Sequence, residues 1–217
     1  MKTGILFDLD GTLLDTLQDL TDAVNYTLRF YNCPERTVRE VRSFVGNGIE
    51  VLMRLALPGK DTDPDIVPVL ETYRAYYGAH SKDKTCPYTG VAEALAEICK
   101  EFPVAIVSNK PDGATKLLCR EFFGSEIFAL GQVEDRPRKP APDMVYAAMK
   151  AIGVDKCVYV GDSEVDVLTA KNAGVPCLSV LWGFRDKDYL ARQGATRFCD
   201  DPKKLFITLK EMIDNGQ

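Results

Sequence analysis

The sequence predicts an α/β fold, a doubly wound parallel sheet with an all-helical cap domain inserted near its start. Three observations predict it. Short apolar runs, continuous rather than alternating, recur along the chain, as in strands covered on both faces. Helical patterns fall between those runs. Residues 15–84 break the rhythm and show helical stripes without a convincing strand.

The first run, Gly4-Ile5-Leu6-Phe7-Asp8-Leu9, meets Asp10-Gly11 and reads as a buried strand ending at a turn. Val104–Ser108, Cys157–Gly161 and Cys177–Leu181 are similar, and weaker strands are expected at Phe128–Gly131 and Arg197–Cys199. Val91, Leu95 and Ile98 mark a helix over 91–100. Ala114, Leu117, Leu118 and Phe122 mark another over 110–123. A third is expected over 142–152, with Pro140 and Pro142 suited to its first turn. Residues 164–173 form a fourth that stops at Gly174. Asp201-Pro202 opens a last helix to about Ile213.

Within the helical stretch, one stripe is Leu17, Leu20, Ala23, Val24, Thr27 and Leu28. A second is Val51, Leu52, Leu55 and Ala56, and a third is Val67, Leu70, Tyr73 and Tyr77. Pro34, Gly46, Gly48, Pro58-Gly59 and Pro64 punctuate them. The expected division is a core of residues 1–14 and 86–217 and a cap of residues 15–85.

Composition narrows the chemistry. Of 217 residues 46% are apolar and 27% charged, the balance of a water-soluble globular chain. The net charge of −5 argues against a nucleic-acid surface. No run is long enough for a membrane span or a signal peptide, so a cytoplasmic protein is expected. Seven scattered cysteines, none in a CxxC pair, read as reduced thiols. One histidine, His80, rules out a zinc helix or a multi-histidine metal cluster, and it is expected on the surface at a helix end. Catalysis must then rest on carboxylates, lysine, backbone amides and a hard metal ion.

Four clusters carry such groups. Asp8-Leu9-Asp10-Gly11-Thr12 places two acids at the end of a buried strand. Gly161-Asp162-Ser163-Glu164-Val165-Asp166 places two more where a strand enters a helix, about one turn apart. Ser108-Asn109-Lys110 leaves a third strand at an expected helix start, where free N–H groups suit an anion. Arg138-Lys139-Pro140 puts a lysine before a proline-defined helix. Each alone also reads as a turn, a helix cap or a surface charge. Together they suggest carboxylates and a lysine around one crevice at the carboxyl ends of parallel strands. Hard oxygen donors suit Mg²⁺, and this equipment suits phosphoryl transfer.

In this order the four clusters resemble the four motifs of the haloacid-dehalogenase superfamily, over nearly the whole chain. The resemblance implies a Rossmann-like core and an enzyme that forms an aspartyl-phosphate. It implies that Asp8 is the nucleophile and a metal ligand. It implies that Asp10 is the general acid and base and gives a backbone carbonyl to the metal, and that Asp162 is a further ligand. Ser108 and Lys139 would bind the phosphoryl group, Asn109 would shape its pocket, and Thr12 and Asp166 would support the site. The acid at position 10 argues against dehalogenation, since a halide needs no proton to leave.

The glycine-flanked turn Phe44-Val45-Gly46-Asn47-Gly48-Ile49-Glu50 resembles the specificity loop of phosphoglycolate phosphatases that carry a helical cap. Arg54 follows, where a substrate carboxylate could meet it. Ser108-Asn109-Lys110-Pro111 and Leu181-Trp182-Gly183-Phe184-Arg185 are also similar to that group, although Trp182 equally suits a packing role. The expected substrate is a small phosphate ester, phosphoglycolate first, with pyrophosphate, sugar phosphates and nucleotides open. A β-phosphoglucomutase-like phosphotransferase is the rival, weakened because residues 13–25 lack the histidine of related mutases. A monomer or homodimer is equally compatible.

Overall fold

A computed structural model describes residues 2–59 and 65–215. The Pro64 punctuation lies outside the described residues. In chain order the elements are β1 (Thr3–Phe7), β2 (Leu14–Asp15), α1 (Leu17–Phe30), α2 (Val38–Phe44), α3 (Ile49–Ala56) and α4 (Val67–His80). Then follow β3 (Cys86–Pro87), α5 (Val91–Glu101), β4 (Val104–Pro111), α6 (Asp112–Phe123), β5 (Phe128–Gln132) and α7 (Asp143–Ile152). The chain ends with β6 (Lys156–Gly161), α8 (Glu164–Ala173), β7 (Cys177–Val180), α9 (Lys187–Arg192), β8 (Phe198–Cys199) and α10 (Leu205–Asp214). Two compact units result, one of Met1–Leu14 with Pro87–Gln217 and one of Asp15–Cys86. Among the described residues no helix is long and apolar enough to cross a membrane.

The first unit is the doubly wound α/β fold. Its six strands lie in the order β5-β4-β1-β6-β7-β8, and every neighbouring pair is parallel. The continuous apolar runs divide by parity between two cores, because successive side chains point to opposite faces. Ile5, Phe7, Ile106, Val158, Val160 and Leu178 join α5, α6 and α10 in one buried cluster. Leu6, Ala105, Val107, Cys157 and Tyr159 join α7 and α8 in the other. Helices on both faces leave no alternation in the strands, which is why the runs read as unbroken.

Several boundaries differ from the sequence reading. β1 stops at Phe7, two residues early, because Asp8 and its successors turn into the loop. β4 continues through Lys110 to Pro111, with a register shift after Val107, so α6 begins at Asp112. Ser108 and Asn109 are therefore strand residues and not a helix start. α7 begins at Asp143, which leaves Pro140 before the helix.

Among the described residues the second unit contains four helices where three stripes were legible. α2 has one buried residue, Val41, too few to show a stripe; its signal is the Thr37–Glu40 capping box. α3 buries Leu52, Met53 and Ala56, so Met53 takes the place expected of Leu55 and Val51. α4 buries Val69, Leu70, Tyr73 and Tyr77, while Val67 is exposed at its first turn. His80 is its last residue and is solvent-accessible. All seven cysteines are free thiols.

Candidate active site

Three adjacent strands bring the distant motifs together. Phe7 stands in register with Ile106 of β4 and Val160 of β6. The next residue, Asp8, donates its backbone N–H to the Val160 carbonyl at 2.8 Å. Ser108 and Asp162 lie two residues beyond those partners, so all three emerge at the carboxyl edge of the sheet, where binding crevices of parallel sheets open.

The loop from Asp8 to Thr12 closes on itself. Leu13 and Leu14 both donate N–H to the Leu9 carbonyl at 3.0 Å, and Thr12 Oγ1 donates to Asp162 Oδ1 at 3.1 Å. Gly11 has φ +84°, and a side chain there would meet the Asp162 carboxylate. Trp182 Nε1 donates to the Thr12 carbonyl at 2.9 Å while its ring packs on the first core cluster, so Trp182 both packs and holds this loop. The following loop returns to Asp162, where the Phe184 N–H donates to Oδ2 at 2.6 Å. Gly183 permits that return, because a Cβ there would press on the Gly11 carbonyl and on Asp162.

Lys139 is the hub. Its fully buried ammonium lies 2.9 Å from Asp8 Oδ1 and 2.8 Å from Asp166 Oδ1. It also reaches the Tyr159 hydroxyl at 3.0 Å and the Val107 carbonyl at 3.3 Å. Burial alone would lower its pKa, but the Asp166 and Asp8 carboxylates outweigh burial and hold it well above the lysine range. The ammonium is therefore charged. Asp166 Oδ2 accepts from the Ser163 N–H at 3.0 Å and the Ser163 hydroxyl at 2.6 Å, so both oxygens of Asp166 are engaged. Asn109 points its amide at the Lys139 backbone.

Asp10 takes a partner that the motif reading did not assign. Lys110 Nζ lies 2.9 Å from each of its carboxylate oxygens, and the pair is largely buried. The signal for Lys110 was its place directly after Ser108-Asn109. The expectation of a helix starting there hid it, since a lysine in a first helical turn would be solvated. Tyr159 was missed for another reason: in Cys157-Val158-Tyr159-Val160 it reads as one more apolar strand residue.

The electrostatics of the acids follow from crowding. Burial pushes the Asp8 carboxyl up to about 7; Lys139 opposes this, and Asp166 and Asp10 add to it. Burial, then the Asp166 and Asp8 charges, hold Asp162 well above the usual carboxylate range, against the bonds from Phe184 and Thr12. Asp8, Asp162 and Asp166 each offer a carboxylate oxygen, all within 4.8 Å of one another. Such a cluster is relieved by a cation, and its all-oxygen donors fit a hard divalent ion. Asp8, Asp162 and Asp166 are thus the residues whose oxygens could hold one.

The remaining sequence candidates lie in the helical unit. Gly46 and Gly48 have φ values of +129° and +83°, and Gly48 precedes α3 as its N-cap. Asn47 stands between them, and Arg54, in the last turn of α3, pairs with Glu50 at 3.0 Å.

Residues 5–180 match the model of the haloacid dehalogenase-like hydrolases. A phosphoglycolate phosphatase of Pseudomonas fluorescens is 34% identical over 211 residues, covering 93% of this chain and 77% of that protein. One from Cereibacter sphaeroides is 34% identical over 188 residues, covering 84% of this chain and 86% of its own. The solved structure of an inferred phosphoglycolate phosphatase from Lactobacillus delbrueckii subsp. bulgaricus superposes with a TM-score of 0.89 at 36% identity, covering 96% of this chain and 99% of that one. The chain is thus an enzyme of the haloacid dehalogenase-like hydrolase family, similar within it to phosphoglycolate phosphatases.

Proposed function

We propose that the protein hydrolyses a small phosphate monoester, phosphoglycolate in the first place, by way of a phosphoryl group carried on Asp8. The observation that carries this reading is the contact of Asp8 with the Lys139 ammonium inside a cluster of carboxylates. The names of the relatives support the substrate.

Asp8, Asp162 and the Asp10 backbone carbonyl would hold Mg²⁺. When bound, this ion neutralises charge on the phosphoryl oxygens and on the crowded acids. Lys139 and Ser108 bind the phosphoryl oxygens, and Lys139 opposes the burial that raises the Asp8 carboxyl, which favours the ionised form that attacks. An Asp8 carboxylate oxygen attacks phosphorus, and the bond from phosphorus to the ester oxygen breaks. Asp10 gives a proton to the departing alkoxide. Water then attacks the phosphoryl group on Asp8, Asp10 takes up its proton, and inorganic phosphate leaves with Asp8 restored. Thr12 and Trp182 hold the loop that carries both acids. Asp166 and Tyr159 hold the lysine, and Asn109 shapes the phosphate pocket through the Lys139 backbone.

In this reading the helical unit would be the cap, and Gly46, Asn47, Gly48 and Arg54 would be its candidates for substrate choice. Residues remote from the reacting atoms can supply such selectivity through binding energy.

A substrate panel tests this reading. Phosphate release is measured from phosphoglycolate, pyrophosphate, sugar phosphates and nucleotides, with Mg²⁺ and with EDTA. Release from phosphoglycolate that requires Mg²⁺ and is lost in Asp8→Asn is the expected result. Isomerisation of a sugar phosphate without free phosphate would establish a mutase instead, and undiminished turnover by Asp8→Asn would overturn the covalent step.

A further inference from the structure

Lys110 carries a charge that the mechanism above leaves unassigned. It is buried in the last part of β4, and its Nζ lies 2.9 Å from both oxygens of Asp10. Its backbone N–H donates to Ser108 Oγ at 3.3 Å, so the ammonium and a phosphate-binding hydroxyl belong to one short segment. The two lysines divide the site. Lys139 joins Asp8 and Asp166, the nucleophile side of the mechanism proposed above, whereas Lys110 joins Asp10, the acid that in that mechanism serves the departing oxygen.

This places the Lys110 ammonium on the leaving-group side. A group protonated by Asp10 comes within hydrogen-bond reach of that carboxyl, about 2.7 Å. The ammonium is one further hydrogen bond away. In phosphoglycolate a single methylene separates the ester oxygen from the carboxylate, so a carboxylate oxygen falls about 3 Å from the ester oxygen by ordinary bond lengths. With a further hydrogen bond of about 2.8 Å from that oxygen to the ammonium, the reach covers the two-bond step from the ester oxygen past Asp10 to Lys110. A leaving group with a neutral end offers the ammonium nothing comparable to Asp10, whereas a carboxylate can join or replace Asp10 as its counter-ion. Lysine suits this role as a compact point charge with three rotatable donors.

The geometry points to Lys110 as a specificity-determining residue that selects phosphate esters bearing a carboxylate one carbon from the ester oxygen. This rests on the reading of the site proposed above and names the group within the core unit that reads the substrate.

The experiment compares kcat/KM for phosphoglycolate with kcat/KM for 2-hydroxyethyl phosphate, in which a CH₂OH replaces the carboxylate. Both are measured with Mg²⁺ on the full-length wild-type protein and on Lys110→Met. The ratio of the two constants does not depend on the fraction of folded enzyme. Wild type is expected to prefer phosphoglycolate, and Lys110→Met is expected to lose about ten- to a hundredfold of that preference, as for a lost hydrogen bond to a charged group. Should Lys110→Met not fold, Lys110→Gln, which keeps a polar end, gives the same comparison. An equal loss on both esters would mean that Lys110 only orients Asp10, and an unchanged ratio would likewise overturn the proposal. Wild-type turnover of both esters without preference would overturn it while leaving the phosphatase reading intact. Failure of the wild type to cleave either ester would remove that reading as well.

Discussion

Asn109 and Lys139 are joined by two hydrogen bonds across 30 positions of sequence. Asn109 Nδ2 donates to the Lys139 carbonyl at 2.9 Å, and the Lys139 N–H donates to Asn109 Oδ1 at 2.8 Å. One side chain thus satisfies both backbone groups of a buried residue whose ammonium bonds Asp8 and Asp166. The amide does for Lys139 what a neighbouring strand does inside a sheet.

Asn109→Ala removes both bonds and leaves buried backbone groups unpaired, at a cost of about 1–3 kcal/mol. Lys139 should then wander relative to Asp8, so kcat/KM falls by more than the stability loss explains at temperatures where the variant is folded. Denaturant titration and steady-state kinetics on the same preparation check this. Unaltered kinetics in the folded variant would show that the amide has only a stabilising part.

The acid cluster makes stability depend on pH in a direction that can be worked out. Burial raises the Asp8 carboxyl from 3.8 in the free amino acid side chain to about 7. The native state then keeps a proton that the unfolded chain has released, so the Asp8 contribution to stability falls as pH rises from about 4 to about 7 and is level above that. In EDTA, Asp8→Asn should match wild type near pH 4 and be the more stable protein above pH 7. Added Mg²⁺ should raise the wild-type denaturation midpoint above pH 7 and raise that of the variant less. A wild type that gains stability relative to Asp8→Asn on going from pH 4 to pH 7 in EDTA would contradict this account.

Gly183→Ala inserts a methyl group against the Gly11 carbonyl and the Asp162 side chain. Overpacking of this kind costs about 1–3 kcal/mol. The displaced groups are the acid loop and Asp162, so activity and the stabilisation by Mg²⁺ should both decline. Gly113→Ala is the control. It lies in α6 with nothing within 4 Å of an added Cβ, and it should stabilise by about 0.5–1 kcal/mol without touching activity.

Asp19 organises the end of the helical unit. It is 2% exposed and accepts from the Lys84 N–H at 3.0 Å, the Thr85 N–H at 2.8 Å and the Thr85 hydroxyl at 2.8 Å. Asp19→Ala strands those donors and should lower stability by about 1–3 kcal/mol. Amide hydrogen exchange at Lys84 and Thr85 should accelerate before exchange in the sheet does, and uniform acceleration would contradict a local role.

The α/β core was legible because its signal is local. Ile5-Leu6-Phe7, Val104–Val107 and Cys157–Val160 are buried on both faces, and burial on both faces removes polar residues from consecutive positions. Asp8 and Asp162, which follow two of these runs, were legible for the same reason, since charge stands out at the end of an apolar segment. Gly174 marked the end of α8, where it takes up a left-handed conformation that glycine adopts without strain.

Only tertiary structure decided which charge meets which. Lys139 and Lys110 look alike as lysines next to prolines, yet one joins Asp8 to Asp166 and the other clasps Asp10. Tyr159 looked like a core residue and is one, but its hydroxyl also reaches the Lys139 ammonium. The continuation of β4 through Lys110 depends on pairing with β5, where Pro111 stands opposite Gln132 after a register shift. Such pairings are set by which strands become neighbours, and strand order is a property of the folded chain that local periodicity does not encode.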